Sequence, residues 1–250
     1  MFPNYINGKK VKKISGNTTG STSWKAMYFS IWNKGICDKI NNSDISCGYS
    51  NEQGTITKVI ISPGIEEIEA YAFQLSYALE EIIISDTVNI IGKCTFRCCP
   101  NLRKINIPKK IDKLEEGIFQ GCGIESIVIP NNVKRIENGV FWHCEELVDI
   151  QIPKTVEYIG DCAFYYCDSL ENITIPDSVT NIGDDAFGNC TSLTNITIPS
   201  SVTTMGANVF YSIPAITVNV PFKEGETPEG WDAGWNDTST GNNITVNYLK

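Results

Sequence analysis

Apolar and polar residues recur in one fixed order along the middle of the chain. Residues 150–172 read IQIPKTVEYIGDCAFYYCDSLEN, residues 173–195 read ITIPDSVTNIGDDAFGNCTSLTN, and a further copy begins at 196. Upstream, 59–81, 82–104, 105–126 and 127–149 follow the same order. Each unit opens on I-x-I, the two-residue alternation of a strand with one buried face. A V-x-x-I pair follows, then a phenylalanine, then a leucine that closes the circuit. Phe73, Phe96, Phe119, Phe141, Phe164, Phe187 and Phe210 are spaced 23, 23, 22, 23, 23 and 23 residues apart, which fixes the register of seven units.

A unit of 22 or 23 residues cannot bury its apolar face alone, so it must stack on its neighbours. Units repeating in one sense predict parallel strands about 4.8 Å apart, and seven rungs predict a rod on the order of 30–35 Å long. Proline closes the strand at Pro108, Pro130, Pro153, Pro176, Pro199 and Pro221. Lacking an N–H, it must stand at a strand end or a corner. The pairs Val133/Ile136, Val156/Ile159 and Val179/Ile182 predict a second wall. The following turn residue is Gly92, Gly160, Gly183 or Gly206 in four units but Glu69, Glu115 or Glu137 in three. Glutamate disfavours a positive φ, so the backbone there should have negative φ.

The unit I-x-I-P-x-x-V-x-x-I-G-x-x-A-F-x-x-C-x-x-L resembles the BspA-like leucine-rich repeats, nearly letter for letter in 150–172. The resemblance spans about residues 56–221. It implies an α/β-type solenoid, a right-handed leucine-rich-repeat coil with a parallel β-sheet on one face, capped at both ends. It also implies a surface protein of bacterial or protozoan type, linked to adhesion and partner binding, and it carries over no catalytic residue. Three segments follow: a partly helical N-terminal cap over 1–55, the solenoid over 56–221 and a C-terminal cap over 222–250. The N-terminal stripe Trp24, Tyr28, Ile31 and Trp32 has helical spacing, and Ser23 stands where a helix N-cap would. Trp231 and Trp235, four apart, either bury over the last rung or offer stacking faces to sugar rings. No signal peptide is visible, so location divides between the cell surface or a secreted form, which the resemblance implies, and the cytoplasm.

Composition narrows the chemistry. With 20 Lys and Arg against 29 Asp and Glu, the net charge is −9, a poor basis for gripping a phosphate backbone. No apolar run is long enough to span a membrane. The one histidine, His143, removes most acid–base and metal chemistry. Ten cysteines are present. Cys99, Cys122, Cys144, Cys167 and Cys190 share one column, where Ser76 and Ile213 also stand, so the position reads as a small buried site with free thiols. Cys94, Cys98 and Cys99 cluster without a C-x-x-C pair or a partnering histidine, which argues against zinc. Cys37 and Cys47 form the one expected disulfide, in an oxidising compartment. Neither a metal nor a cofactor is called for.

His143 beside Cys144 suggests a nucleophile–base pair, but a core cysteine turns its neighbour outward. No phosphate loop or nucleophile elbow accompanies it. The chain reads as non-enzymatic.

Two surfaces are candidates for binding. Between the inward isoleucines of the strands runs the column Ile60, Ile83, Asn106, Val128, Gln151, Thr174, Thr197. Its aliphatic first half is either an adhesive face or the expression of β-propensity alone. Sequons at Asn172 and Asn195 would place glycans on this face where a host attaches them. The second candidate joins Trp142 and His143 on one rung to Tyr165 and Tyr166 on the next, aromatic residues with polar tips of the kind interface hot spots use. The expected partner is a protein on a host or neighbouring cell. The alternatives are a glycan held by exposed aromatics, or a spacer role resting on rigidity.

Overall fold

The computed structural model describes residues 5–6, 9–10, 13–14, 56–237 and 243–249. The proposed helical stripe around Trp24 and the cysteines Cys37 and Cys47 lie outside the described residues. Within them the chain winds as a stack of parallel rungs, each contributing one strand to a first wall, one to a second wall and a turn-rich third wall.

Near the N-terminus are β1 (Tyr5–Ile6), β2 (Lys9–Lys10) and β3 (Lys13–Ile14). The rungs then alternate between the two walls. The first four give β4 (Lys58–Ile61), β5 (Glu67–Ile68), β6 (Glu81–Ile84), β7 (Ile90–Ile91), β8 (Lys104–Ile105), β9 (Lys113–Leu114), β10 (Ser126–Val128) and β11 (Arg135–Ile136). The remainder give β12 (Asp149–Gln151), β13 (Tyr158–Ile159), β14 (Asn172–Thr174), β15 (Asn181–Ile182), β16 (Asn195–Thr197) and β17 (Thr204–Met205), followed by β18 (Ala215–Asn219) and β19 (Asn243–Asn247). First-wall strands pair in parallel as β4–β6–β8, β10–β12–β14 and β16–β18–β19, and second-wall strands as β3–β5–β7 and β9–β11–β13–β15–β17. Ile127 lies opposite Ile150, and Ile150 opposite Ile173, so equivalent residues of the repeat are neighbours.

The α/β-type expectation is corrected in one respect: the described residues contain no helix. The third wall, such as the twelve residues between Ile91 and Lys104, runs instead as consecutive turns, with left-handed residues whose N–H groups bond to the next rung rather than back along a helix. The prolines mark the first wall's end, each carbonyl from Pro108 to Pro199 accepting the N–H three residues on. Gly92, Gly160, Gly183 and Gly206 are absent from the positive-φ residues, in agreement with the negative φ expected at that column. Glycine serves close approach there instead. A Cβ on Gly160 would lie 2.4 Å from Asn138 Oδ1, and one on Gly183 would lie 2.3 Å from Asp161 Oδ1. Those oxygens accept the N–H of the following residue, Asp161 and Asp184 respectively, at 3.0 Å.

The core is one continuous column. All seven repeat phenylalanines are buried, and successive rings stack at centroid separations of 5.4–6.1 Å. At the C-terminal end, the Trp235 ring meets Phe210 edge-on, and the Trp231 indole N–H donates to the Val202 carbonyl at 3.0 Å. Both tryptophans are buried, so they close the core and offer no sugar platform.

One rung departs from the pattern. The 105–126 unit has 22 residues, with one fewer between Cys122 and Ile124 than lies between Cys99 and Leu102. There β8 is only two residues long, and β8 and β10 are not paired. The Asn106 side chain replaces backbone, its Oδ1 accepting from Ile84 N–H at 2.8 Å and its Nδ2 donating to the Ile84 carbonyl at 2.7 Å. Arg103 spans the discontinuity, donating to the Gly123 carbonyl and to both Glu146 carboxylate oxygens.

Candidate functional site

The third wall holds its phenylalanines by a repeated backbone device. The residues two before and two after each phenylalanine have left-handed φ: Tyr71 and Leu75, Cys94 and Cys98, Gly117 and Gly121, Gly139 and His143, Cys162 and Tyr166, Asp185 and Asn189, Asn208 and Ser212. In each of the first six rungs the N–H groups of these two residues and of the phenylalanine donate to carbonyls of the next rung. A left-handed L-residue costs about 1–2 kcal/mol, here offset by the inter-rung bonds it enables. After Phe141 and Phe164 this turn leaves the next two residues half-exposed, whereas Cys98, Gln120 and Asn189 in other rungs are buried.

On neighbouring rungs those residues are Trp142 with His143 and Tyr165 with Tyr166, all four half-buried. The structure brings them together. The His143 imidazole stacks on the Tyr166 ring at 4.5 Å with 6° between planes. Tyr165 meets Trp142 edge-on at 6.1 Å and Tyr166 edge-on at 4.8 Å, and Trp142 lies 6.0 Å from His143. Glycine makes the room, since a Cβ on Gly188 would fall 2.4 Å from the Tyr165 ring. His143 Nδ1 lies 3.2 Å from Glu145 Oε1. Burial, with Tyr166 and Asp185 adding to it, pushes the Tyr165 phenol up to about 12, so it remains a neutral donor at physiological pH. Burial and Glu145 also raise the Asp168 carboxyl, against the opposing effect of His143. The Trp142 indole N–H is buried without an acceptor.

The first-wall column is less continuous. Ile60 lies directly opposite Ile83, and Val128 directly opposite Gln151. Asn106 stands between the two pairs with its side chain turned onto Ile84, and they belong to separate sheets. Val128 is 84% exposed and Ile83 42%.

The cysteine column is buried, and Cys99, Cys122, Cys144, Cys167 and Cys190 are free thiols. Each Sγ donates to the carbonyl of the phenylalanine one rung back, as Cys144 does to Phe119 at 3.1 Å and Cys167 to Phe141 at 3.2 Å. Cys144 therefore points away from His143 into the core, where burial pushes its thiol up to about 12, the opposite of a nucleophile's requirement. Cys94 is free, whereas Cys98 is disulfide-bonded, a bond not expected from the spacing of the cysteines. The left-handed pair of positions was also missed, although Gly117, Gly121, Gly139, Asp185, Asn189 and Asn208 carry its signal. Gly, Asn and Asp tolerate that conformation best.

A family model described as the BspA type leucine-rich repeat region matches residues 44–123 and 112–226, with six copies. The chain belongs to that family. Among solved structures, the BspA-type chain is similar to the leucine-rich repeat protein TpLRR of T. pallidum, at 28% identity and TM-score 0.59. That match covers 63% of this chain and 78% of TpLRR. A leucine-rich repeat protein from Bacteroides ovatus matches at 24% identity and TM-score 0.58, over 77% of this chain and 61% of that one, which supports the fold alone. No curated protein matches the chain. The four clustered aromatics and the exposed strand residues are the candidate surface of this repeat protein.

Proposed function

We propose that this repeat protein is a non-enzymatic recognition module that binds a protein partner through Trp142, His143, Tyr165 and Tyr166, on the surface of a host or neighbouring cell. The observation that carries the reading is the packing of four half-exposed aromatics across two rungs, two of them held at left-handed backbone positions. Rings fixed in place lose little freedom on binding, and Trp and Tyr dominate interface energetics. A protein suits the patch better than a glycan. His143 and Tyr166 cover each other's faces, and the buried Trp231 and Trp235 supply no further platform. The exposed Val128, with Gln151 opposite it, and the Ile60–Ile83 pair favour a secondary contact on the first wall.

The test is affinity capture of host or neighbouring-cell surface proteins by the intact chain, followed by binding measurements with Trp142→Ala, Tyr165→Ala and Val128→Lys. Loss of affinity by about 10-fold or more in either aromatic variant, with unchanged circular dichroism, is expected. Unchanged affinity in both would refute the aromatic site, and binding on a glycan array that these variants abolish would favour the carbohydrate reading.

A further inference from the structure

Among the described residues the first wall ends in an open edge. β19 pairs on one side with β18, from Ala215 opposite Asn243 to Asn219 opposite Asn247, and no strand among the described residues pairs its other side. The Asn247 carbonyl accepts the Val220 N–H on the β18 side. Alternate residues aim their backbone groups at opposite edges, so the N–H and C=O of Ile244 and Val246 face the open one.

Edge strands ordinarily carry a charge, a proline or a bulge that discourages further pairing. β19 reads Asn-Ile-Thr-Val-Asn and has none of these. Its inward residues Ile244 and Val246 are half-exposed, whereas their neighbours on β18, Ile216 and Val218, are 2% and 0% exposed. On the outer face a chain of amides also ends there. Asn219 Nδ2 donates to Asn195 Oδ1 at 3.0 Å and Asn247 Nδ2 to Asn219 Oδ1 at 2.9 Å, which leaves Asn247 Oδ1 as the last acceptor.

The order of residues in β19 specifies what fits this edge. The strand is a chemical palindrome about Thr245: amide, aliphatic, threonine, aliphatic, amide. We infer that the occupant is a second copy of the chain, its β19 running antiparallel about a two-fold axis through Thr245. Ile244 then lies opposite Val246 of the second copy, and these are the residues whose backbone groups face the edge. The two copies exchange four N–H to carbonyl bonds. Apolar side chains meet on the core side, and on the outer side Asn243 of the second copy comes beside Asn247 to continue the amide chain. Such an interface is isologous and closes at two copies. It is small, so the dimer should be weak, with Kd on the order of 10–100 µM. The pairing strand carries no charge, so salt that screens the net charge of −9 should strengthen association.

Sedimentation of the 250-residue chain from about 1 to 200 µM should show a monomer–dimer equilibrium at 27.7 kDa and twice that mass. Val246→Pro removes an outward N–H without touching a bond to β18, and Thr245→Lys sets like charges face to face. Each should weaken the dimer by about 10-fold or more while circular dichroism is unchanged. A positive readout comes from Thr245→Cys. Residues opposite one another at a non-hydrogen-bonded site stand about 4.5 Å apart at Cα, within disulfide range. This variant should cross-link under mild oxidation at least about 10-fold faster than Thr203→Cys on the second wall. A monomer throughout the range with equal cross-linking rates, a dimer that survives both edge substitutions, or growth into longer polymers would each overturn the inference. Because the aromatic patch lies on another wall, failure here leaves the partner-binding reading standing, and the converse holds too.

Discussion

If the phenylalanines form a stack in which only neighbours interact, their energetic coupling should stop at one rung. Phe141, Phe164 and Phe187 are fully buried. The rings of Phe164 lie 5.4 Å from Phe141 at 15° and 5.4 Å from Phe187 at 7°. Phe141 and Phe187 have Phe164 between them. Replacing any one with leucine keeps an apolar side chain but leaves a small void, at a cost of about 1–2 kcal/mol. The informative quantity is the double-mutant cycle. Removing both rings of the touching pair Phe141/Phe164 should show a coupling of about 0.5–1.5 kcal/mol, the usual worth of an aromatic pair beyond its burial. The separated pair Phe141/Phe187 should be additive within about 0.5 kcal/mol, because stacked repeats interact as nearest neighbours. Equilibrium urea unfolding followed by circular dichroism at fixed pH measures all the variants on one scale. Equal coupling for the touching and separated pairs, or none for either, would refute the nearest-neighbour reasoning.

Two further outcomes are expected. Gly160→Ala should destabilise the chain by about 2–4 kcal/mol, since its Cβ would fall 2.4 Å from Asn138 Oδ1 and 2.7 Å from the Asn138 nitrogen; a thermal melt equal to that of the parent would contradict the close approach of these rungs. The buried thiols should make the protein sensitive to alkali. Burial raises Cys144 to about 12 and Cys122 and Cys167 well above their ordinary value, whereas unfolded thiols ionise near pH 8.5. Above that pH the folded chain holds more protons than the unfolded one, so stability should be fully present below about pH 8.5 and decline as pH rises toward 12. Urea midpoints at pH 8 and pH 10.5 should therefore differ, and Cys144→Val should narrow the difference.

The sequence disclosed most readily whatever repeats as a residue type. The phenylalanine column, the isoleucine pairs and the terminal prolines each need one kind of side chain at one place, so their physics is written in letters. Backbone conformation is not so written. The left-handed positions flanking each phenylalanine accept Tyr, Leu, Cys, His and Ser besides Gly, Asn and Asp, and in the first six copies hydrogen bonds to the next rung offset the strain. The thiol bonds across rungs were hidden for a similar reason, since cysteine is as much a small apolar residue as a donor. The aromatic surface was partly visible: adjacent rungs carrying Trp-His and Tyr-Tyr suggested proximity, but the face-to-face stacking of His143 on Tyr166 depends on the turn. At the first wall, the spacing of 22 between Phe119 and Phe141 marked an irregular rung, yet the role of Asn106 as a substitute for backbone required coordinates. The segment 244–248 was recognisable as a strand, while its place as the outermost member of the first wall was not, because it follows β18 by more than one repeat length.

The inter-rung bonds of the third wall also give the rod an electrical direction. In strands, successive peptide groups alternate and their dipoles largely cancel. Beside the phenylalanines they do not, because the N–H groups of each rung point toward the C-terminal end and the accepting carbonyls point back. Their dipoles add along the axis as those of a helix do, but with the opposite polarity relative to chain direction, so the first rung presents the partially negative end and the last rung the partially positive one. Each added rung lengthens the array without reversing it, and the two ends of this acidic rod are electrostatically distinct before any charged side chain is considered.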